Sequence, residues 1–202
     1  KDVVHATVYY SHPKNYAEID EAWQEWFPED PPARTMIPYM GIGIRGCDPE
    51  IALIALRKDG KTKKQTITAE GVGSSVGHEP HAVKAGDLLF FSTQIAGDRN
   101  GLCTGGRRSP EYPWYGLPAR TQMNFILENV AKICEAAGTS IENICKRQAF
   151  HTDFAWFMES IDEWQRHFPN DPPASTTLEL GGPLHIEGTL FLLDLIGYCP
   201  DE

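Results

Sequence analysis

The 202-residue sequence is short of cations, with 18 Lys and Arg against 28 Asp and Glu and a net charge of −10. Tracking phosphates needs clustered cations, so no nucleic-acid partner is expected. Long apolar runs are lacking too: the longest, 190–196, is interrupted by Asp194 and is too short to span a bilayer. No membrane partner is expected. The five cysteines, Cys47, Cys103, Cys134, Cys145 and Cys199, are an odd number without C-x-x-C spacing, in a chain large enough to bury a core without staples. That usage points to inert thiols in a reducing, cytoplasmic setting. No charged segment followed by an apolar one opens the chain, so no targeting signal is expected. Lys1 leads directly into the strand-like run 3–10, which raises the expectation of lost upstream residues or a processed precursor.

What the sequence does contain is an internal repeat. Residues 23–33 (WQEWFPEDPPA) recur as 164–174 (WQRHFPNDPPA), with eight of eleven positions identical at an offset of 141. A strand (3–10; 144–151) and a helix (about 16–27; about 157–168) precede the end of each copy, and two further strands follow. The Phe-Pro-x-Asp-Pro-Pro stretch stops each helix, because proline lacks the amide and restrains its predecessor. Ile19, Ala22, Trp23 and Trp26 share one helical stripe, and both tryptophans are read as core or interface filling.

Between the copies, the charged, turn-forming residues 59–65 read as a linker. A short strand (66–69), a glycine-serine loop, a strong strand (87–92) and a long irregular segment (96–118) follow. The helix 121–137 then carries Met123, Ile126, Leu127, Val130, Ile133 and Cys134 on one face, with Gly138 placed for a left-handed cap. The second copy therefore has a front half that the first lacks. The first copy's apolar faces must be covered by the second unit or by another polypeptide.

These residues resemble the RidA/YjgF family of small trimeric proteins, many of which hydrolyse reactive enamines and imines to ketones and ammonia. The run Gly86-Asp87-Leu88-Leu89-Phe90-Phe91-Ser92-Thr93-Gln94 is similar to the family's Gly-Asp-x-x-x-x-Ser-Gly-Gln segment, and 122–138 is similar to its Gln-to-Gly helix. The resemblance implies an α+β fold of RidA/YjgF-like (chorismate-mutase-like) units, each a mixed sheet with helices on one face. It divides the chain into the back half of one unit (1–58), a linker (59–65) and a complete unit (66–202). It also implies trimer-like packing, with a second chain as a possible source of the missing front half.

The family's site implies an arginine in a Pro-Ala-Arg segment holding a substrate carboxylate, and a glutamate opening the last strand to position water. Pro32-Ala33-Arg34-Thr35 and Glu50-Ile51-Ala52-Leu53 supply both in the first copy. In the second, Ser175 replaces the arginine and the last strand opens without a carboxylate, so that site reads as degenerate. Asp20 stands where the family often has asparagine, Glu79 where it has tyrosine, and Met36 where it has cysteine. Ser92 is expected to lend a hydroxyl to the pocket. Trp114, in the long aromatic segment 104–116, belongs either to a lid over an unsaturated anion or to a subunit contact.

A guanidinium grips a carboxylate with two parallel hydrogen bonds, and a carboxylate such as Glu50 mediates proton exchange with water and departing ammonia. No metal or organic cofactor is required. His78-Glu79-Pro80-His81 is not a metal motif, since proline breaks the helix such a motif needs. On residue types alone, Arg34 suits an ion pair better than an anchor, Asp20 suits a solvated helix position better than a site, and Glu50 suits a solvated strand end as well as a site. The resemblance favours hydrolytic deamination of a small anionic metabolite, a carboxylated imine or enamine. Residues 80–87 resemble the start of 2-aminomuconate deaminases. The alternatives are a non-catalytic small-acid binding or scaffolding protein and a chorismatase-like hydrolase.

Overall fold

The structure, a computed structural model, describes residues 2–39, 41 and 46–200. The first segment runs β1 (Val3–Tyr10), α1 (Tyr16–Trp26), β2 (Ala33–Pro38) and β3 (Glu50–Ala55). Strands β4 (Lys64–Ile67), β5 (Ala82–Ala85), β6 (Leu88–Phe91) and β7 (Gln94–Ile95) follow, then a short hairpin of β8 (Gly97–Asp98) and β9 (Gly101–Leu102). The chain closes with α2 (Pro118–Ala137), β10 (Ile144–His151), α3 (Phe157–His167), β11 (Ala174–Glu179) and β12 (Phe191–Tyr198).

Strands β1–β3 form a three-stranded sheet in the order β2-β1-β3, and the larger sheet runs β11-β10-β12-β6-β5-β4 with β7 beside β12. The pairing sense is the same in both copies. β1 is parallel to β2 and antiparallel to β3, as β10 is parallel to β11 and antiparallel to β12. β1, α1 and β2 map onto β10, α3 and β11 at the constant offset of 141. Even the residues that end α1 and α3, Phe27 and Phe168, share φ of −127° and ψ of 60° and 63°.

Four layers result. One face of the small sheet packs on the large one through Val4, Ala33, Val83, Ala85 and Phe90. Its other face, Ala6, Val8, Tyr10 and Met36, lies under Trp23 of α1. The far face of the large sheet is covered by α2 and α3, with Met123, Ile126, Leu127, Val130 and Trp164 in the main core. A buried polar knot ties the two sheets together. Asp194 accepts hydrogen bonds from Thr35 at 2.8 Å and Lys146 at 2.6 Å, and lies 3.4 Å from His5. Burial works to raise this carboxyl, but His5 and Lys146 more than offset it and hold it at about 2.

Several sequence expectations shift. α2 starts three residues early because Pro118 sits in its first turn, where the absent amide is no loss. Gly138 ends it at φ 82° as expected, its N–H bonding back to Cys134 and Glu135. The linker loses its end to β4, since Lys64 and Gln65 pair with Ala85 and Lys84. Strand β5 had no periodic signal of its own. Of the two places expected for Trp26, core or interface, the core is excluded: it is 83% exposed. It borders an apolar groove of about 710 Å³ between α1 and β3, with Ile19, Ala22, Trp23, Ile51 and Leu53.

Candidate functional site

Arg34 is the second residue of β2, and strand alternation turns it with Met36 toward α1. Its guanidinium lies over Trp23, 5.0 Å from the ring centroid, one residue type the sequence assigned to packing alone. Nη2 donates to Asp20 of α1 and to Glu79, and Nε donates to Glu79 at 2.8 Å. The whole residue is 0% exposed. Nη1 is buried without an acceptor among the described residues. Burial acts against the cation, but Glu79, Tyr16 and Asp20 more than compensate and keep Arg34 protonated. Burial pushes the Glu79 carboxyl up, against the pull of Arg34.

The carboxylates are themselves held. Asp20 accepts the backbone N–H of His78 at 2.9 Å. Gly77 is required at this spot: a Cβ there would overlap Arg34 Nη2 and lie 2.6 Å from both Asp20 Oδ1 and Tyr16 Oη. Tyr16 stacks on His185 at 4.5 Å, and burial holds that imidazole's pKa down to about 4. Backbone bonds fix the strand, since Thr93 N–H donates to the Arg34 carbonyl at 2.9 Å and Arg34 N–H donates to Ser92 Oγ at 3.2 Å. Ser92 Oγ in turn donates to the Pro80 carbonyl at 2.6 Å. Strand β2 is thus stitched along its outer edge to the segment after β6.

Four of the six sequence-derived residues, Arg34, Asp20, Glu79 and Ser92, therefore meet at one place. Two do not. Glu50 opposes Tyr9 on β3, on the face of the small sheet opposite to Arg34. It lines a separate 290 Å³ cavity with Tyr9, Tyr39, Phe150, Leu178 and Leu180. The expected pairing of Arg34 with Glu50 is corrected on this ground, because β1 separates their strands and one sheet cannot bring side chains of its opposite faces together. Trp114 is 77% exposed, and its ring contact is with Tyr112 rather than with the cluster.

Beside the cluster lies a cavity of about 40 Å³ bounded by Glu79, His81, Ser92, Gln94, Asn129 and His185. That volume takes about three waters and is far below the ~300 Å³ of a small-molecule pocket. His78 and His81 bond to the carbonyls of Phe27 and Gly73, at 2.8 Å and 3.1 Å. No group of three or more metal-ligating side chains occurs among the described residues. No helix among them is long and apolar enough to cross a membrane.

Sequence reasoning missed Gly77, Tyr16 and His185. Only Gly77 left a signal, as the glycine next to His78 at the end of the glycine-serine loop.

Comparison with known proteins assigns the fold. The family model described as Endoribonuclease L-PSP matches residues 1–57 and 74–182. A RutC family protein of Saccharolobus solfataricus is 26% identical over 117 residues, 58% of this chain and 85% of the relative. The protein mmf2, mitochondrial, of Schizosaccharomyces pombe is 30% identical over 108 residues, 53% of this chain and 76% of its own length. Among solved structures, RidA of the Antarctic bacterium Psychrobacter sp. superposes with a TM-score of 0.54 at 24% identity, covering 66% of this chain and 98% of that one. A protein of the conserved Rid family from Yersinia pestis gives 0.56 at 21%, over 67% and 99%. With the family model spanning most of its length and the same mixed-sheet architecture, the chain belongs to the Endoribonuclease L-PSP family, that is, to the RidA/YjgF proteins.

Proposed function

We propose that this chain is a binding and scaffolding member of the family, in which Arg34, Asp20 and Glu79 form an internal ion-pair lock. The lock joins the back half of one unit (1–58) to a complete unit (66–202) across the linker 59–65. One observation carries this reading: the Nε and Nη2 edge of a fully buried Arg34 is engaged by carboxylates of its own chain. An anchor for an imino acid has to offer that edge to the ligand. The constant offset of 141 supports the division into units, as does a relative matched over 85% of its length within 58% of this chain. Five free cysteines fit a reducing, cytoplasmic setting. The net charge of −10 speaks against RNA cleavage, whatever the family's label.

The same reading explains the exposed groove. In the complete unit, β6 pairs with β12 and α2 covers α3. The corresponding edge of β3 is exposed at Ile51, Leu53 and Ile54. A strand-and-helix segment like 82–137, from a second chain or an upstream part of this one, would complete the first unit and give two units able to take part in trimer-like packing.

Hydrolytic deamination of a carboxylated imine or enamine, aminomuconate-like ones included, is the second reading. Family membership and the convergence of Asp20, Glu79 and Ser92 on Arg34 favour it. It requires Glu79 to leave Arg34 and another group to do what was expected of Glu50. Ammonia release from a 2-imino acid generated in situ, with pyruvate release from chorismate in parallel, separates the readings. The lock predicts neither product above the buffer rate, and Arg34→Ala is then expected to lower stability. Turnover that Arg34→Ala abolishes in a folded protein overturns the lock.

A further inference from the structure

Residues 6 and 34 face each other across β1 and β2, and residues 147 and 175 do so across β10 and β11. In the first pair the strands carry Ala6 and Arg34; in the second they carry Arg147 and Ser175. The arginine has moved one strand over, yet its guanidinium reaches the same surroundings. Arg147 lies 4.7 Å from the ring centroid of Trp164, the counterpart of Trp23. The second unit, read from the sequence as degenerate, thus keeps a cation under its helix.

The two guanidiniums differ in what meets them. Arg34 spends Nε and Nη2 on Glu79 and Asp20. The counterpart of Asp20 is Ile161, and the segment Gly77 to Glu79 is already folded over Arg34. Arg147 is 1% exposed, and only Nη1 is engaged, donating to Ser175 Oγ at 2.7 Å and Thr177 Oγ1 at 3.5 Å. Its Nε and Nη2 have no acceptor among the described residues. No ion pair to Arg147 occurs there either, and burial alone pulls its pKa down to about 10. A buried cation without a counterion is costly, and the Nε and Nη2 hydrogens point in parallel, the spacing a carboxylate matches. His151, nearby and buried, has neither ring nitrogen hydrogen-bonded among the described residues. Outside them, Ala174, Ser175 and Thr176 leave the outer edge of β11 exposed, where β2 is stitched to Thr93.

We propose that Arg147, Ser175 and Thr177 form a binding site for a small carboxylate in the second unit, entered along the free edge of β11. The site takes a monocarboxylate in bidentate contact with Nε and Nη2, and the Trp164 ring holds the guanidinium in plane. This inference is independent of the part assigned to Arg34.

The test is a titration of the ¹⁵N-labelled protein with pyruvate, and separately with acetate, while the Arg147 Nε–H resonance is followed; sodium chloride at matched ionic strength is the control. Arg147→Lys provides the assignment. A saturable shift with the carboxylates and none with chloride is expected. Ser175→Glu, at an exposed position, should supply an internal carboxylate and abolish the shift. Arg147→Lys, which cannot form the fork, should weaken carboxylate binding, followed on neighbouring backbone amides, by roughly tenfold or more. The proposal is overturned if the wild-type resonance stays still, if chloride moves it equally, or if Ser175→Glu binds pyruvate as well as the wild type.

Discussion

Replacing Arg34 with methionine is the sharpest perturbation of the lock. The change keeps much of the volume above Trp23 but strands Glu79, whose side chain is only 3% exposed, and leaves Asp20 at 24%. Breaking a buried ion pair from one side costs about 3–5 kcal/mol, because the remaining charge loses its partner without regaining water. The upward push on Glu79 tempers this, since the stranded carboxyl can take up a proton. A loss of about 3 kcal/mol is therefore expected. With a urea m-value of about 2–3 kcal/mol/M, the unfolding midpoint should fall by roughly 1–1.5 M. Removing both charges in Arg34→Met with Glu79→Met should recover a large part of that loss, as apolar replacements of buried pairs often do. Equilibrium urea unfolding of the single and double variants measures the coupling directly. If Arg34→Met shifts the midpoint by less than a few tenths of a molar, or the double variant loses the sum of the singles, the guanidinium is not a structural lock and the reasoning fails.

Further outcomes follow from the same structure. Gly77→Ala should destabilise by about 1–3 kcal/mol, since its methyl group collides with Arg34 and crowds Asp20 and Tyr16; thermal melting checks this. His151 is buried and neutral, its pKa held down to about 4 by burial and by Arg147. The unfolded chain therefore binds more protons between about pH 6.5 and 4, and stability should fall as pH drops through that window, by about 3 kcal/mol from His151. His151→Phe should reduce the pH dependence of urea unfolding there by that amount, leaving the share that the buried His185 contributes over the same window. Asp194→Asn keeps the shape but not the charge facing Lys146 and His5, and should cost about 2–4 kcal/mol in the same assay. Trp26→Glu with Leu53→Glu should leave the melting temperature unchanged while abolishing any assembly through the α1–β3 groove, as read by analytical ultracentrifugation.

Much of this architecture was legible in the sequence because the repeat and the prolines are local signals. The offset of 141 located β1, α1 and β2 against β10, α3 and β11, and the Phe-Pro stretches ended both helices where expected. What escaped depends on which face a strand residue takes. Glu50 matched the family pattern in linear order, yet its partner across the ladder is Tyr9, which faces the other sheet. Trp26 continued an apolar stripe, but a stripe says nothing about whether anything covers it. β5 escaped because its small alternating side chains carry little period. Arg147 was hidden by reading the Pro-Ala-Arg motif along one strand only: the repeat offset makes it the counterpart of Ala6, and only the register, which sets it opposite Ser175, shows that the cation changed strands.

The lock stands or falls on whether the Arg34 edge is committed to the chain's own carboxylates. The most direct measurement is the Arg34 Nε–H resonance during a pyruvate titration, with its exchange with solvent recorded in the free protein. A resonance that exchanges slowly and does not move with pyruvate is the predicted result. Fast exchange with a saturable pyruvate-dependent shift would mean that Glu79 gives way to a ligand, and the lock would have to be abandoned in favour of a substrate anchor.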